Sequence, residues 1–229
     1  MIIFDEASHT YTNNETDEKY ISVTTLISKY KKPFDKELHS LRVSKREGVP
    51  QEMVLEMWEQ ENKRSTDRGS LIHKLLEDYL TVGEVVSDYS WLYRSYDKIV
   101  ADNIDSFRSF DSERLLFNDE YKVAGTADLI YDHGEYFTIG DFKTNKRFLF
   151  NSKYNEYFND PISHLSYCEF NSYALQLSIY AYMHEQITGK KCCKIVVFYL
   201  NESNFVPIYC NYLKRDVINM FKHYNNSIT

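Results

Sequence analysis

The sequence predicts a layered α/β (α+β) domain, a sheet sandwiched by helices, and three observations predict it. An amphipathic helix covers residues 69–80, three strand-like runs joined by tight turns cover 113–144, and two more strands follow a further helix at 194–200 and 205–210. Helices and strands in that order bury a sheet against helices around one core. No repeat, low-complexity tract or linker interrupts the chain, so one domain is expected over 1–229. It divides into an N-terminal hairpin with a basic helical segment (1–66) and a core (67–229).

Each element has its own local reason. Residues 1–27 suggest a short hairpin turning at Thr12-Asn13-Asn14, followed by Ser22–Ile27. Residues 36–65 are polar and poor in Gly, which suits a helix. Within 69–80, Leu71, Leu75 and Tyr79 recur at four-residue spacing, as do Ile72, Leu76 and Leu80, the period of one helical face. A further helix is expected over about 88–109. The period then changes to that of strands at 113–119, 122–132 and 135–144, separated by Asp119-Glu120 and by Asp132-His133-Gly134. Connections so short imply an antiparallel meander. Residues 145–171 are irregular and end near Asn171-Ser172, a suitable N-cap for a helix over 173–188 with Gly189 at its C′ position. Strands at 194–200 and 205–210 precede a last helix over 212–224.

Composition sets limits on function. The 229 residues are 43% apolar and 27% charged, as in an ordinary globular protein, and 20 Tyr with 14 Phe predict an aromatic core. A net charge of −7 counts against a protein that coats DNA non-specifically, so any DNA track must be a local basic patch. The four cysteines (168, 192, 193 and 210) form no C-x-x-C pair, which argues against zinc, and are too few for a disulfide framework. Reduced thiols in a cytoplasm fit them best. The opening MIIFDEASHTY resembles neither a signal nor a transit peptide, and no run approaches the roughly 18 apolar residues of a membrane span.

The chemistry gathers on the strands. Asp128 and Asp141 lie on strands joined by a tight hairpin, which can set their carboxylates side by side. Lys143 follows Asp141 by two residues, so both side chains leave one face. Two carboxylates can hold a hard divalent cation, which activates water and neutralises charge developing on a phosphate. A lysine beside them can orient that water or stabilise the transition state. Alone, such charges on a strand are usually solvated surface. Two helical patterns add to them. His73 and Glu77 share a face of the 69–80 helix, which makes His73 a candidate nitrogen ligand. Gln176 and Tyr180 share a stripe with Tyr173, Met183 and Ile187. The last three suit core packing, whereas a buried Gln needs a polar partner such as an active-site carboxylate or lysine.

Four segments taken in order, RGSLIHKLLE (68–77), AGTADLI (124–130), IGDFKT (139–144) and QLSIY (176–180), resemble the RecB-type branch of the PD-(D/E)xK nucleases. They match its G-xxx-H-xxx-E, G-xx-D, D-x-K and Q-xxx-Y motifs over about half the chain. The opening HTYTNNETDEKYISVTTLI (9–27) is also similar to phage exonucleases and to the mitochondrial genome maintenance exonuclease. The resemblance implies a restriction-endonuclease-like core with a mixed central sheet. It implies Mg²⁺ or Mn²⁺ held by His73, Asp128, Asp141 and the Phe142 carbonyl, with Lys143 catalytic. Gln176 and Tyr180 would orient the site and touch DNA, and Glu77 and Glu113 would support it. Glu113 heads its expected strand, where a glutamate is usually exposed. Some members carry an iron–sulfur cluster held by one Cys before the core and three after it; this chain has no Cys before 168, so no cluster is expected.

A DNA path is suggested by two basic patches. Residues 27–46 hold seven Lys and Arg against Asp35 and Glu37, and Lys146, Arg147 and Lys153 alternate with Phe148, Phe150 and Tyr154. Basic residues interleaved with aromatics suit single strands through phosphate contact and base stacking. Ser22, Thr24, Thr25 and Arg68 are candidate phosphate ligands. The resulting expectation is a metal-dependent DNA exonuclease, phage-encoded and active in recombination, repair or replication. The alternatives are an inactive nuclease fold that binds DNA, and an endonuclease or resolvase.

Overall fold

The computed structural model describes residues 2–5, 10–201 and 205–228. His9, which opens the N-terminal segment of resemblance, lies outside them. Strands β1 (Ile2–Asp5), β2 (Thr10–Asn13) and β3 (Lys19–Ser22) form a three-stranded antiparallel meander, one strand more than the hairpin expected. The turn starts two residues later than predicted, at Asn14, where the Asn13 side chain accepts the Glu15 N–H at 3.0 Å and closes a local turn of its own. Ser22 then caps the short helix α1 (Val23–Ser28), its hydroxyl accepting the Thr25 N–H at 3.1 Å.

Helix α2 (Lys36–Glu47) is capped by Asp35 and stopped by Gly48 in the left-handed region. Helix α3 runs unbroken over Gln51–Val82. The helix expected at 69–80 is therefore the second half of a 32-residue helix, and the division drawn at 66/67 falls inside it. No Pro interrupts 51–82, and its one Gly, Gly69, lies where the helix passes Thr144; a Cβ there would stand 3.3 Å from Thr144 Oγ1. After a 3-10 turn at Ser87–Tyr89, α4 spans Ser90–Asn103, shorter than the 88–109 expected. Residues 109–112 belong instead to β4 (Ser109–Asn118), whose ladder is continued by Arg108 N–H donating to Asp132 O at 2.7 Å. Strands β5 (Val123–Asp132) and β6 (Tyr136–Lys143) complete the predicted meander.

The predicted irregular segment follows. Helix α5 (Glu169–Thr188) begins before the Asn171-Ser172 cap proposed for it, because the Asn171 amide donates to Ser166 O at 2.7 Å instead of capping. Strands β7 (Lys191–Leu200) and β8 (Phe205–Cys210) and helix α6 (Lys214–Ile228) end the chain.

The sheet is mixed and open, running β1-β2-β3-β5-β6-β7-β8 with β4 on β5. The β6–β7 and β3–β5 pairs are parallel and the others antiparallel. Helices flank both faces. Residues 195, 197 and 199 of β7 pack with α5, α6 and α1, while 196, 198 and 200 pack with α3 and α4, the alternation a strand imposes. Among the described residues, no helix is long and apolar enough to cross a membrane.

Candidate functional site

The site arises from a fork in the sheet. Strand β4 covers one edge of β5 over its full length. On the other edge β3 pairs at Val123–Ala124 and β6 at Leu129–Asp132. Residues 125–128 lie between the two, with no ladder partner on that edge. One step beyond Leu129↔Gly140 in the register, Asp128 and Asp141 face each other as β5 and β6 separate. Asp128 closes the fork: its Oδ2 accepts the Phe142 N–H at 2.8 Å, in place of the lost ladder.

On the other side of β5, the β4 register sets Glu113 opposite Asp128, where the paired residues skip from Ser112 to Arg114. Glu113 has φ +49, which strains a non-glycine backbone and lifts this residue out of the ladder. It is thus in mid-strand, not at the strand end expected from sequence, because β4 starts at Ser109. Glu113, Asp128 and Asp141 make a row of carboxylates across three neighbouring strands.

Helix α3 closes the row. His73 Nε2 lies 2.9 Å from Phe142 O and Nδ1 lies 3.4 Å from Asp128 Oδ2. Ligand atoms of His73, Glu113 and Asp128 all fall within 4.8 Å of one another. Asp141 is not a member of that group; it is almost fully buried, and its Oδ2 is ion-paired with the Lys143 ammonium. Glu77, one turn beyond His73, lines a cavity of about 540 Å³ with Glu113 and Asp128. The donor set is one imidazole, three carboxylates and the Phe142 carbonyl, which His73 Nε2 contacts. Its oxygens suit Mg²⁺ and its imidazole extends the fit to Mn²⁺.

The electrostatics follow from crowding. Burial and the Asp141 charge push the Asp128 carboxyl up, against the opposing pull of His73 and Lys143. Glu113 rises to about 7, first from desolvation and then from Asp128. Burial by itself would lower the Lys143 ammonium, but Asp141 and Asp128 outweigh it and hold the group above its ordinary value.

Helix α5 supplies the remaining wall. Gln176 Nε2 lies 3.4 Å from Asp141 Oδ1 and 3.4 Å from Tyr180 Oη, so the half-buried amide has the carboxylate partner expected. Tyr180 explains the glycine of AGTAD: a Cβ on Gly125 would sit 2.6 Å from Tyr180 Cε1. Ile187 departs from the core role read for it, while Met183 is buried and Tyr173 packs against the core with its ring also reaching the site. Ile187 is 49% exposed, and Tyr173 presents its ring 5.0 Å from Lys143 Nζ. The i,i+3 spacing from Tyr173 to Gln176 was the sequence signal for that placement.

The candidate DNA contacts separate into two groups. Ser22 and Thr24 line the cleft with Glu113 and Asp128, and the Ser22 hydroxyl also meets Thr25 Oγ1 at 2.7 Å. Arg68 donates to Thr144 O at 3.3 Å and shares a recess with Arg64 and Lys146, where Lys146 pairs with Glu61 at 2.6 Å. Arg147 is exposed beside them.

Comparison with known proteins adds little. No protein-family model matches the chain, and no curated protein matches it. Among solved structures, the crystal structure of SSO0001 is similar at 14% identity and a TM-score of 0.42, covering 93% of this chain and 77% of that one. A likeness so distant carries no argument about family or activity. What fold and site define is a mixed α/β protein whose open sheet forks at a histidine–carboxylate cluster.

Proposed function

We propose that the chain is a metal-dependent DNA nuclease of the PD-(D/E)xK class, hydrolysing phosphodiester bonds from the ends of single-stranded or tailed DNA. The observation that carries this reading is the carboxylate row of Glu113, Asp128 and Asp141, with His73 at one side and Lys143 two residues beyond Asp141. His73, Asp128, Asp141 and the Phe142 carbonyl would hold Mg²⁺ or Mn²⁺, and Glu113 is close enough to join them. Such a cation supplies Lewis acidity toward a phosphate oxygen and an attacking water.

The chain's own groups do the rest. Lys143 remains an ammonium at neutral pH because two carboxylates stabilise it, so it can donate to a phosphate oxygen as negative charge grows there. Gln176 donates to Asp141 and fixes its orientation, and Tyr180 backs Gln176. The test incubates purified protein with end-labelled linear and covalently closed circular single-stranded DNA in Mg²⁺, Mn²⁺ or EDTA. The linear strand should be degraded, the circle spared, and EDTA should stop the reaction. Undiminished cleavage in EDTA would sink the mechanism. Equal loss of circle and linear strand would replace the exonuclease with an endonuclease, and tight binding without hydrolysis would leave a binding module.

A further inference from the structure

A second cavity, of about 320 Å³, opens at the N-terminal end of α5. Its walls come from three distant parts of the chain: Lys31 just after α1, Lys153 and Tyr154 in the long loop, and Tyr167 to Tyr173 at the start of α5. Hydrogen bonds hold them together. Asn159 N–H donates to Tyr30 O at 2.7 Å, Ser152 N–H to Ser166 Oγ at 2.8 Å, and Phe170 N–H to Leu149 O at 3.1 Å. The two basic patches that are separate in the sequence thus meet here.

The lining is aromatic and carries two ammonium groups among two carboxylates. Tyr154, Tyr167 and Tyr173 offer ring faces, and Lys31 and Lys153 offer ammonium groups. Lys31 Nζ lies 5.3 Å from the Tyr167 ring centroid and Lys153 Nζ 5.6 Å from that of Tyr154. A ligand that is flat and anionic at once satisfies both features. Glu156 and Glu169 also line the cavity and would repel a bare anion, so an aromatic part must contribute to binding. The cavity shares a wall with the cleft, since the Tyr173 ring that lines it also stands against Lys143.

We propose that this cavity is a nucleotide subsite, taking the unpaired base and the phosphate of the nucleotide next to the phosphodiester bond at Lys143. Its place beside the scissile bond rests on the nuclease reading; its ligand chemistry does not. A base already paired and stacked in a duplex cannot enter, so the subsite selects a single strand.

The probe is a fluorescein-labelled thymidine oligonucleotide bound to the full chain in EDTA and followed by anisotropy. Thymidine monophosphate, thymidine and inorganic phosphate serve as competitors. Tyr154→Ala should weaken binding by about 5- to 150-fold, the range for loss of one stacked base. Lys31→Met and Lys153→Ala should each lower the salt dependence by about one phosphate contact. The monophosphate should compete better than thymidine or inorganic phosphate. Tyr154 and Lys153 are exposed, so their variants keep the fold, which circular dichroism checks. Wild-type affinity in all three variants, no binding by the wild type, or phosphate competing as well as the monophosphate would overturn the subsite. If DNA is hydrolysed yet the variants bind normally, the subsite fails and the nuclease reading stands. If the variants bind weakly but no DNA is cut in Mg²⁺ or Mn²⁺, the subsite stands and the nuclease reading fails.

Discussion

Lys143 and the carboxylates beside it differ in what their removal should do. Asp128→Ala or Asp141→Ala should abolish both cation binding and cleavage, because each takes a charged oxygen pair from the centre. Lys143→Ala should leave Mn²⁺ binding, followed by calorimetry, near wild type while lowering the cleavage rate by about 10²- to 10³-fold, the cost of losing one transition-state donor. Near-native cleavage by that variant would remove Lys143 from the mechanism. His73→Ala should harm the Mn²⁺ reaction more than the Mg²⁺ reaction, since the harder ion depends less on imidazole. Gly125 tests the packing behind the site. Its added Cβ would meet Tyr180 at 2.6 Å and Val23 at 3.1 Å, both buried residues that would have to shift. Gly125→Ala should therefore cost about 1–3 kcal/mol of stability. The penalty should shrink in the Gly125→Ala, Tyr180→Ala double variant, which thermal melts can read as non-additivity.

At the scale of elements, the long helix α3 has two unlike halves. Its second half buries Ile72, Leu75 and Leu76 against the sheet, while in its first half only Val54 is buried. At about 1.5 Å per residue the helix extends about 48 Å. Helix α2 makes its substantial contacts with α3 and buries only Ser40. Phe34 ahead of it stacks on His39 at 4.6 Å yet stays 65% exposed. The pair forms an arm that stands off the body, tied at its root by Lys146 with Glu61 and by Arg68 with Thr144. Few buried apolar contacts mean a low cost of local opening. Amides of α2 and of residues 51–60 should exchange hydrogen at least about 100-fold faster than those of α5, which buries nine residues. Equal protection of α2 and α5 would contradict an arm without further support. The Lys146–Glu61 pair is exposed and screened by solvent, so Glu61→Gln should hardly move the melting temperature.

For the whole molecule, the carboxylate row links stability to pH. The Glu113 carboxyl rises from its ordinary 4.5 to about 7 on folding, and Asp128 moves in the same direction. The folded chain holds protons that the unfolded chain has released over this window. Their stabilising contribution is complete below about pH 4.5 and is lost as the pH climbs through about 7. Metal-free protein should accordingly melt at lower temperature at pH 8 than at pH 5.5, and Glu113→Gln should flatten that slope. Mn²⁺ should reverse the loss most at the higher pH, where the carboxylates are free of protons. An unchanged slope in Glu113→Gln would remove that residue from the coupled row. The net charge of −7 is consistent with this arrangement, since part of the acidity is concentrated in the cleft while Arg64, Arg68 and Lys146 gather at its side.

The sequence by itself determined the strands that carry Asp128, Asp141 and Lys143, the helices that carry His73 and Gln176, and the shared faces on which these residues stand. Those are consequences of local period and of turns such as Asp132-His133-Gly134, and both are written in neighbouring residues. Only the tertiary structure decided how the pieces meet. That β3 joins β6 on one edge of β5 and leaves a fork at 125–128 depends on Ile21 and Ser22 pairing with Val123 and Ala124, far along the chain. Glu113 looks like a strand end until β4 is seen to begin at Ser109 and its backbone to turn left-handed opposite Asp128. Lys31 and Tyr173 carry no local mark of their common cavity, because no periodicity encodes a contact between segments so far apart. Local pattern specifies which face a side chain takes; the register and packing between distant elements specify what it finds there.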